Sequence, residues 1–462
     1  MRVIRSPFRP CGAALVVALC APFLSLIPSP AFASGADRKA VARPDGRRVA
    51  SSSHAPSGRA SPTGVLSLGD ARAAALRSSP RLAGLAAQMS ARRALELQAG
   101  LYPNPEVALE LENVGGTGDR TGFEETETTL WISQLVPLGG KIGERQRVAA
   151  LEGDLAQRSL EATRREVVAD TTNAFVATLA AQERLALSND LTRLASAALR
   201  AVTDQVRAGA ASSVEQTRAR IAEAEAELER TSAERDLAVS RAALAATWGA
   251  DAPGFREVRG DLDDLTPPPP LDRLQQYLAD GPEAARWDTE LAQREAALAL
   301  ERARRVPDPT FRLGARHFHD NDDDALVFEV AVPIPVFDRN QGNVLAADHE
   351  LARARADREG ARALAAAALA ERYQELVRAY EEAIAVRQRL LPDAEAAFAG
   401  VRDGYRAGRF GQLDLLQAQR TLFEVRRRRL EALAAYHRAA ADLERLTGEP
   451  LAIAAGNRGG VR

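Results

Sequence analysis

The densest group of potential metal ligands in this sequence is His317, His319, Asp320, Asp322, Asp323 and Asp324. Imidazole and carboxylate together suit zinc or nickel. If the segment is a strand, alternation places the rings of His317 and His319 on one face. The same residues also read as an ordinary acidic loop facing water, so His317 and His319 stand only as weak metal candidates. Enzymatic chemistry finds no constellation. There is no G-x-S-x-G, H-E-x-x-H or phosphate-cradling glycine loop. The glycines of GGTGDRTG, from Gly115, lack the spacing and the strand-to-helix setting of a nucleotide site. The remaining histidines, His54, His349 and His437, are scattered, and neither an enzyme nor a cofactor is expected.

Both cysteines, Cys11 and Cys20, lie in an N-terminal leader. Arg2, Arg5 and Arg9 precede an apolar stretch from about Gly12 to Ile27, and Ala31-Phe32-Ala33 has the small-x-small form of a cleavage site. Residues 1–33 therefore read as a secretory signal peptide. A membrane anchor is the alternative, but the stretch falls short of the ~20 residues that span a bilayer and Pro22 interrupts it. Cleavage leaves a cysteine-free chain and moves the formal net charge from -2 to -2 - 3 = -5. Neither value makes a case for nucleic acid. Leu19 before Cys20 is bulky for a lipoprotein box, and lipidation there stays open. Residues 34–64 are Ser, Ala, Arg, Gly and Pro with few large apolar side chains, which predicts disorder.

What positions any chemistry is a duplicated plan. Charged residues make up 27% and aromatics 5%, as in a chain of long helices. RAGAASSVEQTRAR from Arg207 and RAGRFGQLDLLQAQ from Arg406 align at an offset of 406 - 207 = 199, pairing Gly209 with Gly408 and Glu215 with Asp414. Upstream, YPNPEV from Tyr102 matches VPDPTF from Val306, VPL at Val136 matches VPI at Val332, and Pro80 matches Pro282. Each half reads as short helix, strand, loop, strand, very long helix, glycine turn, helix.

The first half, 65–250, is expected to hold strands near 104–113 and 124–136 and helices near 140–207 and 213–248. The second, 271–448, is expected to hold strands near 309–318 and 325–334 and helices near 341–405 and 412–447. Residues 251–270, ending in four prolines, form a linker, and 449–462 a tail.

Val107, Leu109 and Leu111 alternate with Glu106, Glu110 and Glu112; Leu326, Phe328 and Val330 alternate with Val327 and Glu329. Around Trp131 and Ile132, which point opposite ways, the alternation is less clean. Such strands either cover a soluble core or face lipid outside and water inside. The helices decide between these. At roughly sixty-five residues and 1.5 Å per residue each long one is about 100 Å, and it must pack lengthwise against others. Four strands are too few for a barrel and would leave open edges, so closure needs several chains. At the junctions, Pro333 and Pro335 end the strand ladder and Asp338 or Asn340 can cap the next helix. Pro137, Gly139 and Gly140 do the same work in the first half.

These features resemble the TolC-like outer-membrane efflux family, the exit ducts of bacterial tripartite pumps, over essentially Val65 to Gly448. SQLVPLGGKIGERQRV and VPIPVFDRNQGNV resemble its heavy-metal (CzcC-type) branch. The resemblance implies a mainly α fold with a small β part: a homotrimer with a twelve-stranded barrel in outer-membrane lipid and a twelve-helix periplasmic tunnel. It implies a periplasmic adaptor docking at the tip turns (Arg207, Ala208, Gly209, Arg406, Ala407, Gly408 and Phe410) and an inner-membrane RND-type pump feeding the duct. Glu215 and Asp414 match the family's tunnel-entrance carboxylates; first-turn acids favoured by the helix dipole are the plainer reading. Ala211, Phe410 and Gln417 stand where a well-known relative builds its salt-bridged gate, so apolar packing at the tip is expected instead. Drug efflux or protein secretion, and a soluble periplasmic coiled-coil scaffold, remain as alternatives.

Overall fold

A computed structural model describes residues 62–120, 122–448 and 451. The expected signal peptide, residues 34–61 of the expected disordered segment and nearly all of the expected tail lie outside the described residues. The last residue of that segment, Gly64, is instead the first of strand β1 (Gly64–Ser67).

Two helices, not one short helix, open each half. In the first, α1 (Leu68–Ser78) starts on Ser67, whose Oγ accepts from the Asp70 N–H at 3.2 Å. Helix α2 (Pro80–Ala99) begins with proline at its first position, where the missing N–H costs nothing. The second half repeats this as α5 (Leu271–Ala279) and α6 (Pro282–Ala303). Strands β2 (Glu106–Glu112) and β3 (Glu127–Leu135) follow α2; β5 (Thr310–Phe318) and β6 (Asp323–Ala331) follow α6. All four form one antiparallel sheet in the order β2-β3-β5-β6, so β2 and β6 are its open edges.

From the sheet the chain enters α3 (Lys141–Arg207), 67 residues and about 100 Å long at 1.5 Å per residue, and returns in α4 (Ser213–Ala246). The second long helix is interrupted. It runs as α7 (Gln341–Ala385), one π-helical turn over Val386–Leu390, and α8 (Leu391–Arg406), before α9 (Gln412–Thr447) returns. The cause is Pro392, which has no N–H for the carbonyl four residues back and whose ring would collide with it; the wider turn relieves both.

The expected linker, 251–270, is not structureless. Phe255–Arg259 form β4, which pairs in parallel with β1. Its other side is met by Gln182 of α3, which accepts from the Val258 N–H at 2.8 Å and donates to the Val258 carbonyl at 2.9 Å. The rest of the segment is held against α9. Tyr436 bonds both backbone groups of Thr266, and His437 Nε2 meets the Leu262 carbonyl at 2.9 Å. The main buried cluster sits here, where Leu66, Trp248, Phe255 and Leu274 pack with Phe175, Leu376 and Leu433 of the long helices. None of its members comes from the four-stranded sheet.

Candidate functional site

Strand register sorts the sheet into two unlike faces. Val107, Ile132, Leu313 and Phe328 lie level across the four strands, and with Leu109, Leu111, Leu130, Phe311, Leu326 and Val330 they make a continuous apolar face. All ten are exposed. The opposite face is charged and internally bonded. Arg316 pairs with Glu127 at 2.7 Å and Glu112 at 3.0 Å, and Arg312 with Glu329 at 3.3 Å. Trp131 belongs to this polar face, which explains why β3 alternates poorly. Its ring lies on Gly314, where an added Cβ would come within 2.7 Å, and its indole N–H donates to Glu110 at 2.7 Å. Glu106, Glu110, Glu112, Glu127 and Glu329 outnumber Arg312 and Arg316 on this face, so its field favours cations.

At the far end of the helices the two tips are built alike. Gly209 (φ 74°) and Gly408 (φ 72°) adopt the left-handed conformation that ends a helix in a Schellman turn. The closing bonds are Ala210 N–H to the Gln205 carbonyl and Arg409 N–H to the Gly404 carbonyl, both 2.8 Å. Arg207 and Arg406 reach back only to Asp204 and Asp403 of their own helices, at 3.5 and 3.9 Å. Ala208 and Ala407 occupy the C-cap positions before the glycines. Glu215 accepts from the Ser212 N–H at 3.0 Å while Ser212 Oγ accepts from the Glu215 N–H, a complete capping box. Asp414 accepts from the Gly411 N–H at 2.9 Å. The two tips touch where Gln412 Nε2 donates to the Glu215 carbonyl at 3.3 Å. Phe410 lies over Gly404, whose missing side chain makes the space: a Cβ there would be 2.3 Å from Phe410 Cδ2.

Both junctions start their long helix from a left-handed residue, Gly140 (φ 75°) and Asn340 (φ 58°). Asn340 sits at the expected cap position, yet its side chain accepts from no helix N–H, which corrects the expected cap. It donates instead to the carbonyl and carboxylate of Glu301 in α6, at 2.7 and 2.8 Å. Asp338 accepts from the Asn340 N–H at 2.9 Å and so shapes the turn rather than the helix end. Pro333 and Pro335 fall just beyond the last ladder residue, Ala331. After Pro137, Gly139 (φ 70°) packs on Val306, to which a Cβ would approach within 2.8 Å. His317 and His319 do share a face, their rings in edge contact at 4.7 Å. His317 Nδ1 is already 3.1 Å from Asp324, and among the described residues no three His, Cys, Asp or Glu side chains form a metal-holding group.

Comparison with known proteins settles the family. Residues 72–250 and 274–449, one stretch per half, match the family described as outer membrane efflux protein. The chain belongs to the outer membrane efflux protein family. It is 34% identical over 385 residues to the cobalt-zinc-cadmium resistance protein CzcC of Cupriavidus metallidurans, covering 83% of this chain and 90% of that one. Among solved structures, the outer-membrane channel OprN superposes with a TM-score of 0.69 at 17% identity, over 82% of this chain and 89% of that one. The outer membrane protein VceC of Vibrio cholerae does so with 0.63 at 18%, over 82% and 96%. The protein is thus an outer-membrane efflux channel component and not an enzyme. Among the described residues no helix is long and apolar enough to cross a membrane.

Proposed function

We propose that three copies close into a twelve-stranded barrel continued by a twelve-helix tunnel, forming the exit duct of a tripartite pump that carries heavy-metal cations. The observation that carries this reading is the two-faced sheet with two open edges. An exposed apolar face suits lipid, a salt-bridged acidic face suits a watery lumen, and pairing β6 of one copy with β2 of the next removes every edge. A soluble scaffold would need the strands to cover a core, whereas the buried cluster lies elsewhere. The tip turns at Gly209 and Gly408 would meet a periplasmic adaptor, with an RND-type pump below it. Cation cargo is favoured over organic or protein cargo by the excess of glutamate on the polar face and by the resistance protein to which the chain is similar.

The test is a deletion strain. Loss of the gene lowers tolerance to cobalt, zinc and cadmium, and restoration returns a trimer to the outer-membrane fraction. Unchanged metal tolerance with increased sensitivity to organic drugs assigns the duct to a different pump.

A further inference from the structure

The first junction makes a contact that the second cannot make within one chain. Strand β3 runs on past its end with Val136 N–H donating to the Pro309 carbonyl at 3.0 Å and Leu138 N–H donating to Asp308 Oδ1 at 2.8 Å. Lys141 pairs with the same carboxylate at 2.6 Å and also donates to the Val306 carbonyl, and Gly139 lies against the Val306 side chain. The β3–α3 junction is thereby docked on the lead-in to β5.

The repeat maps Val136, Pro137 and Leu138 onto Val332, Pro333 and Ile334, and Val306 and Asp308 onto Tyr102 and Asn104. The partner of the second junction is therefore the lead-in to β2. That lead-in lies at the opposite edge of the same sheet, beyond β5 and β3. Both surfaces are apolar and bare. Ile334 is 82% and Phe337 90% exposed, with Val336 exposed beside them, while Tyr102 is 67% exposed next to exposed Leu101.

The two loops also differ in length. One residue, Gly139, separates Leu138 from Gly140, whereas Pro335 to Arg339 separate Ile334 from Asn340, an insertion of four. It brings in exposed Val336 and Phe337, the latter the most exposed large apolar side chain among the described residues. Strict alternation of strand direction places the C-terminal end of β6 and the N-terminal end of β2 at the same end of the sheet. A second copy added edge to edge brings these two surfaces together.

We propose that Ile334, Val336 and Phe337 form an intersubunit clasp that seats on Leu101 and Tyr102 of the next copy, reproducing between chains the contact made within one. The inference rests on the ring of three copies proposed above. Its occupant is a second copy of this chain, since the repeat supplies the complementary surface.

Cysteine cross-linking tests it, because the native cysteines, Cys11 and Cys20, both lie in the leader. The full chain carrying Phe337→Cys with Tyr102→Cys, or Val336→Cys with Leu101→Cys, is oxidised in outer-membrane vesicles and separated without reductant. The clasp gives a ladder of dimers and trimers that reductant collapses and that the four single variants do not show. Wild-type trimers by native electrophoresis, with no ladder from either pair, overturn the clasp alone and leave the loop to the lipid interface. A wild-type chain that is monomeric in the same membranes overturns the ring, and the clasp with it. As a second readout, Phe337→Asp converts most of the trimer band to monomer in mild detergent, while Phe337→Leu keeps it.

Discussion

Neutralising Glu215 and Asp414 without breaking their helices separates the two roles open to these acids. Each carboxylate holds the backbone N–H of its cap residue, Ser212 or Gly411. Glutamine and asparagine retain an oxygen that accepts the same bond, and glutamine is an accepted partner in a capping box. Glu215→Gln with Asp414→Asn therefore changes stability by no more than about 0.5 kcal/mol, whereas Glu215→Ala costs about 1 kcal/mol. Charge behaves differently. Two carboxylates from each of three copies would ring the tunnel entrance. For a ring of about 7 Å radius each would attract a monovalent cation by about 0.6 kcal/mol in water, and a Debye length of about 8 Å would reduce the combined effect to about 1.5 kcal/mol. That is roughly a tenfold enrichment of monovalent and a hundredfold enrichment of divalent cations. Reversal potentials of the purified channel under a potassium chloride gradient, with cobalt titrated as a blocker, read the difference directly. The doubly neutralised variant loses most cation preference and binds the blocker far more weakly. Wild-type selectivity and block in that variant, beside a destabilised Glu215→Ala, would show that the two acids are caps and nothing more.

Three further outcomes follow from the packing. Phe255→Ala empties a site that is 1% exposed between Trp248 and Arg241, costs about 3–5 kcal/mol, and frees the 251–270 segment to proteolysis. Gly139→Ala meets both a left-handed backbone and the Val306 side chain, so it lowers the melting temperature more than Gly140→Ala, which meets open space; Gly140→Asn is nearly silent, since Asn340 already holds the equivalent conformation. His437 is fully buried, and desolvation lowers its pKa below the usual 6.5. The unfolded chain then takes up a proton that the folded chain refuses. Stability should fall as pH drops below about 6.5, by up to about 1.4 kcal/mol per pH unit, until the folded-state pKa is reached, and His437→Gln flattens that part of a melting-temperature profile.

Period and repetition were the parts of the fold open to reading in the sequence. Val107, Leu109 and Leu111 against three glutamates announce a two-faced strand from seven residues, because alternation needs no tertiary information. The glycines at the tips are equally local: a left-handed helix end requires them. Strands β1 and β4 escaped because four and five residues carry too little pattern, and their stability comes from partners far off in the chain, such as Gln182. Trp131 blurred the pattern of β3 for a related reason. Its face is set by Gly314 and Glu110 on neighbouring strands, which alternation along β3 alone cannot show. For Asn340, composition pointed to a cap, but its amide group donates to Glu301 of α6 and its oxygen accepts from the Asn343 side chain in place of a backbone N–H.

Departures from the repeat are where the two halves take different tasks. Pairing by the 199-residue offset sets Gln205 and Ala211 of the first tip opposite Gly404 and Phe410 of the second. In the second tip Phe410 enters because Gly404 vacates the space. Tyr405 then reaches the Gln205 carboxamide at 3.4 Å, tying α8 to α3 just above the turns. The insertion at 335–338 breaks the repeat again at the other end of the helices, next to an open edge. Six equal repeats around an axis would need neither change, since every neighbour would be alike. A ring of three chains has two kinds of boundary, one covalently continuous and one not. Of these two departures, one lies at the tip and the other beside the open edge of the sheet, which a ring of three copies would turn into a boundary between chains.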